Sequence, residues 1–587
     1  MKRKKKPKKL FGVLDEQQAR LAIVALFIIA FSLRLYYLQP GLWHTDSVIA
    51  AQEAERSVEK GRLHYLQGDV GYGGFAAFNT LIYLIWHTAT GSDSAEGVLL
   101  FTNALLGALG CVLIYYLTVK LTESREAGIY AGIILAFLPL HLSLSTYLKD
   151  LVLGSAALMA TAYALIKARE EDTTHLKVLA GALWGFAIAV RHQELLFLAP
   201  LILFYYHDSP PFELKRKRRG GWKFSLMEDP FDVIRDVSII VVTGLVVFVL
   251  FYVPKMMHEP GFSLFEAIRS AGSAQGQAGV GLFTETFTRY SIPWATKTLT
   301  YLGWLVLIGS IVVNYGRGRR GVWLVLVAWM TLYFMIFGNF SGASPYFFFH
   351  AFPPAVMMMG WGLEYLQRNW GNIANIVVIL LVAWMFIGFK PVLDYRRMEC
   401  GPCEFSKRIA EVAPGRYVVI GMDETRHYEY YGHPIMGLGH PNPFQTDEMT
   451  KHMKMLDDYM SNGTAVYITT AGLSYEPINL QGLIERGAIQ FDPELMVPVN
   501  RMNMKPYMNI VYDKENGMLV DAETGSPIPP SGLYGLELFN RYKSTIVFSM
   551  ETEDWHHADL DQSKYTTTLF KLEPRQRQMM VEAVEEN

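Results

Sequence analysis

The sequence predicts a polytopic α-helical membrane protein of about eleven transmembrane helices, followed by a soluble α/β domain. The chain has 587 residues, of which 51% are hydrophobic and only 18% are charged, a composition too apolar for an ordinary soluble protein. Its mean hydropathy of +0.17 is nevertheless too low for membrane helices throughout. Apolar runs of roughly 17 to 23 residues, long enough to cross a bilayer, recur from residue 21 to residue 391 and then stop.

A cluster of basic residues precedes the first apolar run. Its members are Lys2, Arg3, Lys4, Lys5, Lys6, Lys8 and Lys9. The run that follows is long enough to span and has no small-residue cleavage site, so we expect an anchor rather than a removed signal peptide. Basic residues favour the cytosolic side of a membrane, which makes residues 1–20 a cytosolic tail.

The distribution of basic loops predicts the topology of the transmembrane domain, residues 21–391. The candidate spans are 21–39, 97–119, 128–147, 150–167, 177–190, 193–207, 237–254, 298–313, 322–338, 346–365 and 373–391. Counted from a cytosolic start, alternate loops are basic, and the opposite loops, including the long ones at 40–96 and 255–297, are less so. The odd number of crossings places residues 392–587 outside the cytosol.

Other features agree with this assignment or leave alternatives open. Two glycosylation sequons, at Asn339 and Asn462, fall in predicted external segments, although such tripeptides arise easily by chance. The external segment 255–297, rich in Phe and Gly, fits either an amphipathic lid or a hairpin resting on the membrane. The net charge of −2 says little about partners because the basic residues are clustered, and the sequence does not suggest nucleic acid as a partner.

An acidic residue follows the first span within the external loop 40–96. The run Trp43-His44-Thr45-Asp46-Ser47 leads into a helical pattern from Val48 to Lys60, with Gly61 as a stop. Asp46 or Ser47 could serve only as the cap of that helix. The alternative is that Asp46 is a functional carboxylate at the outer face.

Three more charged residues are predicted at the outer boundary of the membrane. Lys149 and Asp150 separate two apolar runs, and Arg191 follows another. Asp150 could belong to a simple interfacial turn, and the two basic side chains could snorkel to lipid headgroups. Charges beside hydrocarbon are costly and are often functional, however, and a lysine with an arginine fork is well suited to hold a phosphate.

The order of these motifs resembles the GT-C superfamily of membrane glycosyltransferases, in particular the branch of protein O-mannosyltransferases and aminoarabinose transferases. The similar segments are Trp43-His44-Thr45-Asp46, Gly71-Tyr72-Gly73-Gly74-Phe75, Thr90-Gly91-Ser92-Asp93, Leu138-Pro139-Leu140-His141, Leu148-Lys149-Asp150-Leu151-Val152, Val190-Arg191-His192-Gln193-Glu194 and the aromatic, proline-rich run 345–354. The resemblance covers residues 20–390 and departs from the family twice. The usual Asp-Glu pair is Asp46-Ser47 here, and the usual tandem proline is Gly73-Gly74.

The resemblance implies transfer of a sugar from a polyprenyl-phosphate carrier to a protein, lipid or glycan acceptor on the outer side, usually with inversion. Asp46 would be the general base or would orient the acceptor. Lys149 and Arg191 would neutralise the departing lipid phosphate. His44, Asp150 and Glu194 would help to bind substrate.

The resemblance leaves metal use and two other functions open. Some relatives, the oligosaccharyltransferases, hold a metal with carboxylates in these loops. Asp46 and Asp150 are the candidates here, and they are too few to predict a divalent cation. A transporter or flippase for a lipid-linked substrate is a second interpretation, although no inverted repeats are evident. A non-catalytic relative is a third, for which Ser47 in place of glutamate is the best argument.

The carboxy-terminal region, 392–587, alternates strand-like and helical runs, which predicts a compact α/β domain. The predicted strands are Tyr417–Ile420, Ala465–Thr470, Asn509–Tyr512, Thr545–Ser549 and Thr566–Leu572, and the predicted helices include Glu404–Val412 and Leu480–Arg486.

Two side-chain clusters in this region allow more than one interpretation. The tetrapeptide Cys400-Gly401-Pro402-Cys403 is the one found in thioredoxins, but the strand that should precede it is missing, so a local disulfide or free thiols remain open. The cluster Asp554, His556, His557 and Asp559 fits a solvated loop better than a metal site.

Overall fold

The computed structural model describes most of the chain, with gaps. The described residues are 15–64, 72–208, 212–216, 222–226, 230–259, 261–265, 287–317, 319–339, 345–413, 415–421, 425–439, 446–469, 510–513, 518–521, 538, 541–555 and 562–574. They form two compact units, and the first boundary between them in the sequence falls between Glu399 and Cys400. The predicted boundary at 391/392 lies inside a helix that continues to Met398.

Helices build the first unit. They are α1 (Glu16–Tyr36), α2 (Thr45–Glu59), α3 (Gly73–Thr90), α4 (Glu96–Thr122), α5 (Arg125–Phe137), α6 (Pro139–Ser145), α7 (Asp150–Glu171), α8 (Thr174–Val190), α9 (Leu198–Tyr205), α10 (Pro230–Leu250), α11 (Val253–His258), α12 (Ile292–Tyr315), α13 (Arg320–Phe337), α14 (Phe352–Trp370) and α15 (Ile373–Met398). Two 3₁₀ segments, His192–Phe197 and Pro345–Ala351, precede α9 and α14, and a π-helical turn, Phe287–Ser291, precedes α12. An antiparallel hairpin pairs β1 (Phe212–Arg216) with β2 (Trp222–Leu226).

The predicted fold class is confirmed, and each predicted span coincides with helix. Within the described residues, however, only seven helical segments are long and apolar enough to cross a membrane, or eight if α5 and α6 form one bent span. These two helices meet at 63°, because Leu138 precedes a proline and takes an extended conformation that ends α5.

The remaining predicted spans are helical but short or polar. Helix α8 has 17 residues, and the stretch His192–Tyr205 is shorter still. Helix α14 carries Glu364 and Arg368 in its second half. Length and hydropathy in the sequence therefore located these helices correctly, and by the same two criteria the short or polar ones do not qualify as spans on their own.

The loop 40–96 is mostly helical. The helix predicted from Val48 to Lys60 is confirmed as α2, whose residues Val48, Ala51 and Ala54 are buried. Helix α3 follows it and was not predicted, because its apolar residues read as part of a long loop. About half of the predicted lid at 255–297, residues 260 and 266–286, lies outside the described residues, and the rest includes α11 and the start of α12.

The second unit is the predicted α/β fold. Its strands are β3 (Tyr417–Gly421), β4 (Met436–Gly439), β5 (Ala465–Thr469), β6 (Ile510–Asp513), β7 (Met518–Asp521), β8 (Tyr542–Trp555) and β9 (Gln562–Pro574). Five of them form a sheet of the order β4-β3-β5-β9-β8, and β6 and β7 form a separate hairpin. Strand β3 is parallel to β4 and β5, and β9 is antiparallel to β5.

Alternating side chains of β3 and β5 pack against a helix on each face of this sheet, as the two-residue period of a strand requires. On one face Ile420 and Ile468 pack with Leu456 of α17 (Thr446–Ser461). On the other face Val419 and Tyr467 pack with residues of α16 (Gly401–Val412). The sheet is thus covered on both sides, which accounts for the nearly continuous apolar runs in the sequence.

Cys400, Cys403 and the asparagines of both sequons lie among the described residues. Cys400 and Cys403 are joined by a disulfide at the start of α16. Of the two possibilities that the sequence left open, a local disulfide or free thiols, the structure has the disulfide. Asn462 is exposed just after α17, whereas Asn339 is buried and its amide donates to a backbone carbonyl, so only the second sequon is suited to glycosylation. The predicted helix at 480–486 and residues 556–559 of the Asp/His cluster lie outside the described residues.

Candidate active site

The six residues selected from the sequence lie at the ends of three helices in the first unit. His44 and Asp46 are at the start of α2. Lys149 and Asp150 are at the start of α7, and Arg191 ends α8, with Glu194 in the 3₁₀ segment that follows. Helix ends have backbone groups without helical partners. Where several helix ends meet, polar side chains can therefore lie near one another.

The cap of α2 differs from the prediction. Neither Asp46 nor Ser47 caps the helix; the Nδ1 atom of His44 accepts a hydrogen bond from the backbone N–H of Asp46 at 3.1 Å. The ring of His44 also stacks on Tyr147, with 6.3 Å between ring centroids. The capping role that offered a purely structural explanation of Asp46 is therefore filled by another residue.

Asp46 is paired with Lys149. The Lys149 ammonium donates to a carboxylate oxygen of Asp46 and lies 4.9 Å from the centre of the Tyr346 ring. The side chain of Lys149 is only 2% exposed, whereas that of Asp46 is 37% exposed. The buried cation therefore supports a carboxylate that can reach a ligand from solvent.

The charges around Asp46 keep it ionised. Burial alone would raise the pKa of this carboxyl, but the positive charge of Lys149, with smaller contributions from His44 and Arg191, outweighs it and holds the pKa well below its usual range. Asp46 is thus an acceptor of hydrogen bonds at any physiological pH.

Asp150 and Arg191 form a second ion pair. Their side chains are buried, and Arg191 Nη1 donates to Asp150 Oδ2 at 2.8 Å. The pair joins the first residue of α7 to the end of α8. A buried pair of this kind is costly to break because the partner that remains keeps an uncompensated charge.

Glu194 lies deeper, in a set of contacts that was not anticipated. Its carboxylate accepts a hydrogen bond from the Tyr333 hydroxyl at 2.5 Å, and its other oxygen lies 2.5 Å from His350 Nδ1. Glu194 is fully buried. We therefore place it among the residues that support the site rather than among those that a substrate reaches.

The two departures from the family pattern have structural explanations. Ser47 is buried, and its hydroxyl donates to the backbone carbonyl of Leu148 at 2.5 Å, so it links α2 to the residue before Lys149. Gly74 lies against the end of α8: a Cβ added there would be 2.8 Å from the backbone of Ala189 and Val190. The missing side chain lets α3 approach the helix end that carries Arg191.

This close approach predicts a large difference between two glycine substitutions. Gly74→Ala should lower the thermal unfolding midpoint of the purified protein, because overpacking costs about 1–3 kcal/mol. Gly97→Ala in α4 is the matched control, since nothing lies within 4 Å of the added methyl group, and alanine favours a helix by up to about 1 kcal/mol. Equal midpoints for the two variants would show that α3 can shift without cost.

Aromatic residues that sequence reasoning did not select complete the surroundings. Tyr346 lies beside Lys149, and the charges of Arg191 and Asp150 act on the Tyr72 hydroxyl. Burial raises the pKa of Tyr72 to about 12, so its hydroxyl stays protonated. Both residues fall in segments that carry the family resemblance, but nothing in their local sequence distinguished them from ordinary membrane-interface tyrosines.

The donor set does not fit a resident divalent cation. Among the residues that the structure describes, no group of three or more His, Cys, Asp or Glu side chains is arranged to hold a metal. The two candidates, Asp46 and Asp150, each face a basic side chain instead. No step of the chemistry below is therefore assigned to a metal.

Known proteins share this architecture. Residues 77–215 match the family of dolichyl-phosphate-mannose-protein mannosyltransferases. ArnT from Cupriavidus metallidurans, solved with undecaprenyl phosphate, is similar with a TM-score of 0.55 at 14% identity, over 83% of this chain and 97% of ArnT. The oligosaccharyltransferase AglB from Archaeoglobus fulgidus, solved with an inhibitory peptide and a dolichol-phosphate, gives a TM-score of 0.50 at 12% identity, over 91% of this chain and 79% of AglB. No curated protein matches the chain.

The family match covers the part of the chain that contains Lys149, Asp150 and Arg191. The similar structures cover most of the remaining helices. The match over residues 77–215 and the fold shared with ArnT and AglB support the resemblance of this chain to the GT-C superfamily of membrane glycosyltransferases.

Proposed function

We propose that the chain transfers a sugar from a polyprenyl-phosphate carrier to a protein, lipid or glycan acceptor on the external face of the membrane. The observation that carries the proposal is the pairing of a reachable carboxylate, Asp46, with a buried cation, Lys149, near a second cation, Arg191. The carrier lipids named for ArnT and AglB support a lipid-linked donor.

In this proposal the acceptor oxygen attacks the anomeric carbon of the sugar as the bond from that carbon to the phosphate oxygen breaks. The electron pair of that bond leaves with the phosphate, whose growing negative charge Lys149 and Arg191 stabilise. The acceptor proton goes to Asp46. A single displacement of this kind inverts the configuration at the anomeric carbon.

The contact between Asp46 and Lys149 also makes the proton transfer conditional on the donor. Lys149 holds the pKa of Asp46 low, which makes Asp46 a weak base. A donor phosphate that draws on the charge of Lys149 raises that pKa. Asp46 thus becomes a better base when a donor is bound.

The distribution of basic loops supports the orientation of the site. We assign the amino terminus to the cytosol and residues 392–587 to the external side, because basic residues concentrate in alternate loops, counted from the start of the chain. The exposed sequon at Asn462 fits this orientation. The site then faces a compartment where lipid-linked sugars and acceptors meet.

The test is transfer of radiolabelled sugar from polyprenyl-phosphate donors in membranes that contain matched amounts of native protein, Asp46→Asn or Glu59→Gln. Loss of a general base lowers rates by about 10²–10⁴-fold, so Asp46→Asn should be nearly inactive. Glu59 is an exposed carboxylate at the other end of α2, and its substitution should have no effect.

Other outcomes favour the two other functions. Undiminished transfer by Asp46→Asn would remove Asp46 from the mechanism. Absence of transfer by the native protein with any donor would favour a non-catalytic relative, and movement of intact lipid across vesicles would favour a flippase.

A further inference from the structure

The chain that leads into Lys149 is buried along its whole length. We call residues 139–148 the connection; it comprises α6 and the three residues between α6 and Lys149. Every residue of α6 is buried, and so are Thr146, Tyr147 and Leu148. In a buried segment, the backbone groups that have no partner in a helix or a sheet must form hydrogen bonds with other parts of the protein.

Two arginines from different helices hold the connection near its start. The Arg34 guanidinium of α1 lies 2.7 Å from His141 Nδ1, and Arg396 of α15 donates to Ser143 Oγ at 2.7 Å. Arg34 is fully buried, and its side-chain partners within the described residues are neutral groups. Burial of a guanidinium in this way is costly, which indicates that fixing the connection matters to the protein.

Three further donors hold its end. Asn103 of α4 donates its side-chain amide to the carbonyls of both Leu144 and Tyr147, the former at 2.9 Å. The Gln39 backbone N–H donates to the Thr146 carbonyl at 3.2 Å. The Ser47 hydroxyl donates to the Leu148 carbonyl. The carbonyls that follow a helix end lack helical partners, and here the three residues directly before Lys149, together with Leu144, all find one.

We infer that Asn103 and Ser47 are positioning residues for Lys149. Their side chains are buried and are engaged by the connection, since Ser47 donates to the Leu148 carbonyl and Asn103 donates to the Leu144 and Tyr147 carbonyls. They fix the backbone directly before Lys149, and thereby direct its ammonium to Asp46. The expectation that Asn103 and Ser47 affect catalysis rests on the proposed function. The expectation that they position Lys149 does not.

The reactivity of Lys149 tests the positioning without any activity assay. Lys149 and Lys177 are both buried lysines in ion pairs, and Lys177 pairs with Asp236 and Asp172. Reductive methylation of the purified full-length protein with formaldehyde, followed by mass spectrometry, gives the rate of modification at each. Lys177 serves as an internal reference, because general loosening of the fold would expose both lysines.

The informative variants remove single hydrogen-bond donors. Asn103→Leu keeps the side-chain size and removes the amide that donates to two carbonyls of the connection, and Ser47→Ala is a milder second variant. Thr118→Val is the control, since Thr118 is a buried polar residue of the same helix α4 and its hydroxyl donates to the carbonyl of Ile114 within that helix. We expect methylation of Lys149 to rise at least about tenfold in the first two variants, the factor associated with loss of a buried hydrogen bond, with Lys177 unchanged.

Two results would overturn the inference: native-like protection of Lys149 in both variants, or equal increases at Lys149 and Lys177. If Asn103→Leu does not fold, Ser47→Ala decides between these outcomes. Where the native protein transfers sugar, kcat should fall with the rise in Lys149 reactivity. If the native protein transfers none, the proposed function fails, and the methylation result still stands.

Discussion

Arg191→Met is expected to destabilise the protein by about 3–5 kcal/mol and to abolish transfer. The loss of stability follows because Asp150 would keep a buried charge without its partner. The loss of transfer follows because the proposed phosphate site loses one of its two cations. The unfolding midpoint in detergent and the rate of transfer measure the two effects separately.

A double variant separates stability from function at this pair. Arg191→Met combined with Asp150→Leu replaces both charges with apolar side chains, and such replacements are often neutral or stabilising. The double variant should therefore recover most of the native midpoint yet remain inactive. A double variant as unstable as Arg191→Met alone would show that the stability of this region does not depend on charge compensation.

Lys149→Met should lower the rate of transfer by about 10²–10³-fold, the range for loss of one group that stabilises developing negative charge. It should also change the pH dependence of the residual activity. Lys149 holds the pKa of Asp46 low, so removal of its positive charge raises that pKa. Protonated Asp46 cannot accept a proton, and activity is then lost as the pH falls.

Profiles of kcat/KM between about pH 3.5 and 8 would show this change. The variant should have an acidic limb near about pH 4–5, whereas the native protein should not. Lys60→Met, at the exposed end of α2, is the control and should keep the native profile. An identical acidic limb in native protein and Lys149→Met would mean that Lys149 does not set the ionisation of Asp46.

The helices could be predicted from the sequence because their signals are local. Apolar runs and a glycine after a helix, such as Gly61 after α2, depend on a few neighbouring residues. The number of full spans could not be predicted, because whether a helix such as α8 crosses the bilayer alone depends on its neighbours. Strand β4 was missed because its four residues, two of them glycine, carry little strand signal.

The members of the candidate site were predicted better than their contacts. Asp46 and Lys149 are 103 residues apart, and Glu194 and Tyr333 are 139 apart. Pairing over such distances is set by tertiary packing, which leaves no trace in one local pattern. The expectation that Asp46 or Ser47 caps α2 was wrong for the same reason. Both are of residue types that usually cap helices, but Lys149 and Leu148 from another segment engage their side chains.

The pairing of each cation with a carboxylate has a consequence for turnover. Lys149 and Arg191 already have counter-charges within the chain, so a phosphate that enters must compete with Asp46 and Asp150. In the proposed reaction Asp150, and Asp46 once it has released the acceptor proton, pair with the cations again as the spent carrier moves away, which favours its departure. In the proposed enzyme Asp46 and Asp150 thus weaken the binding of the incoming donor, and for the same reason they limit inhibition by the lipid product.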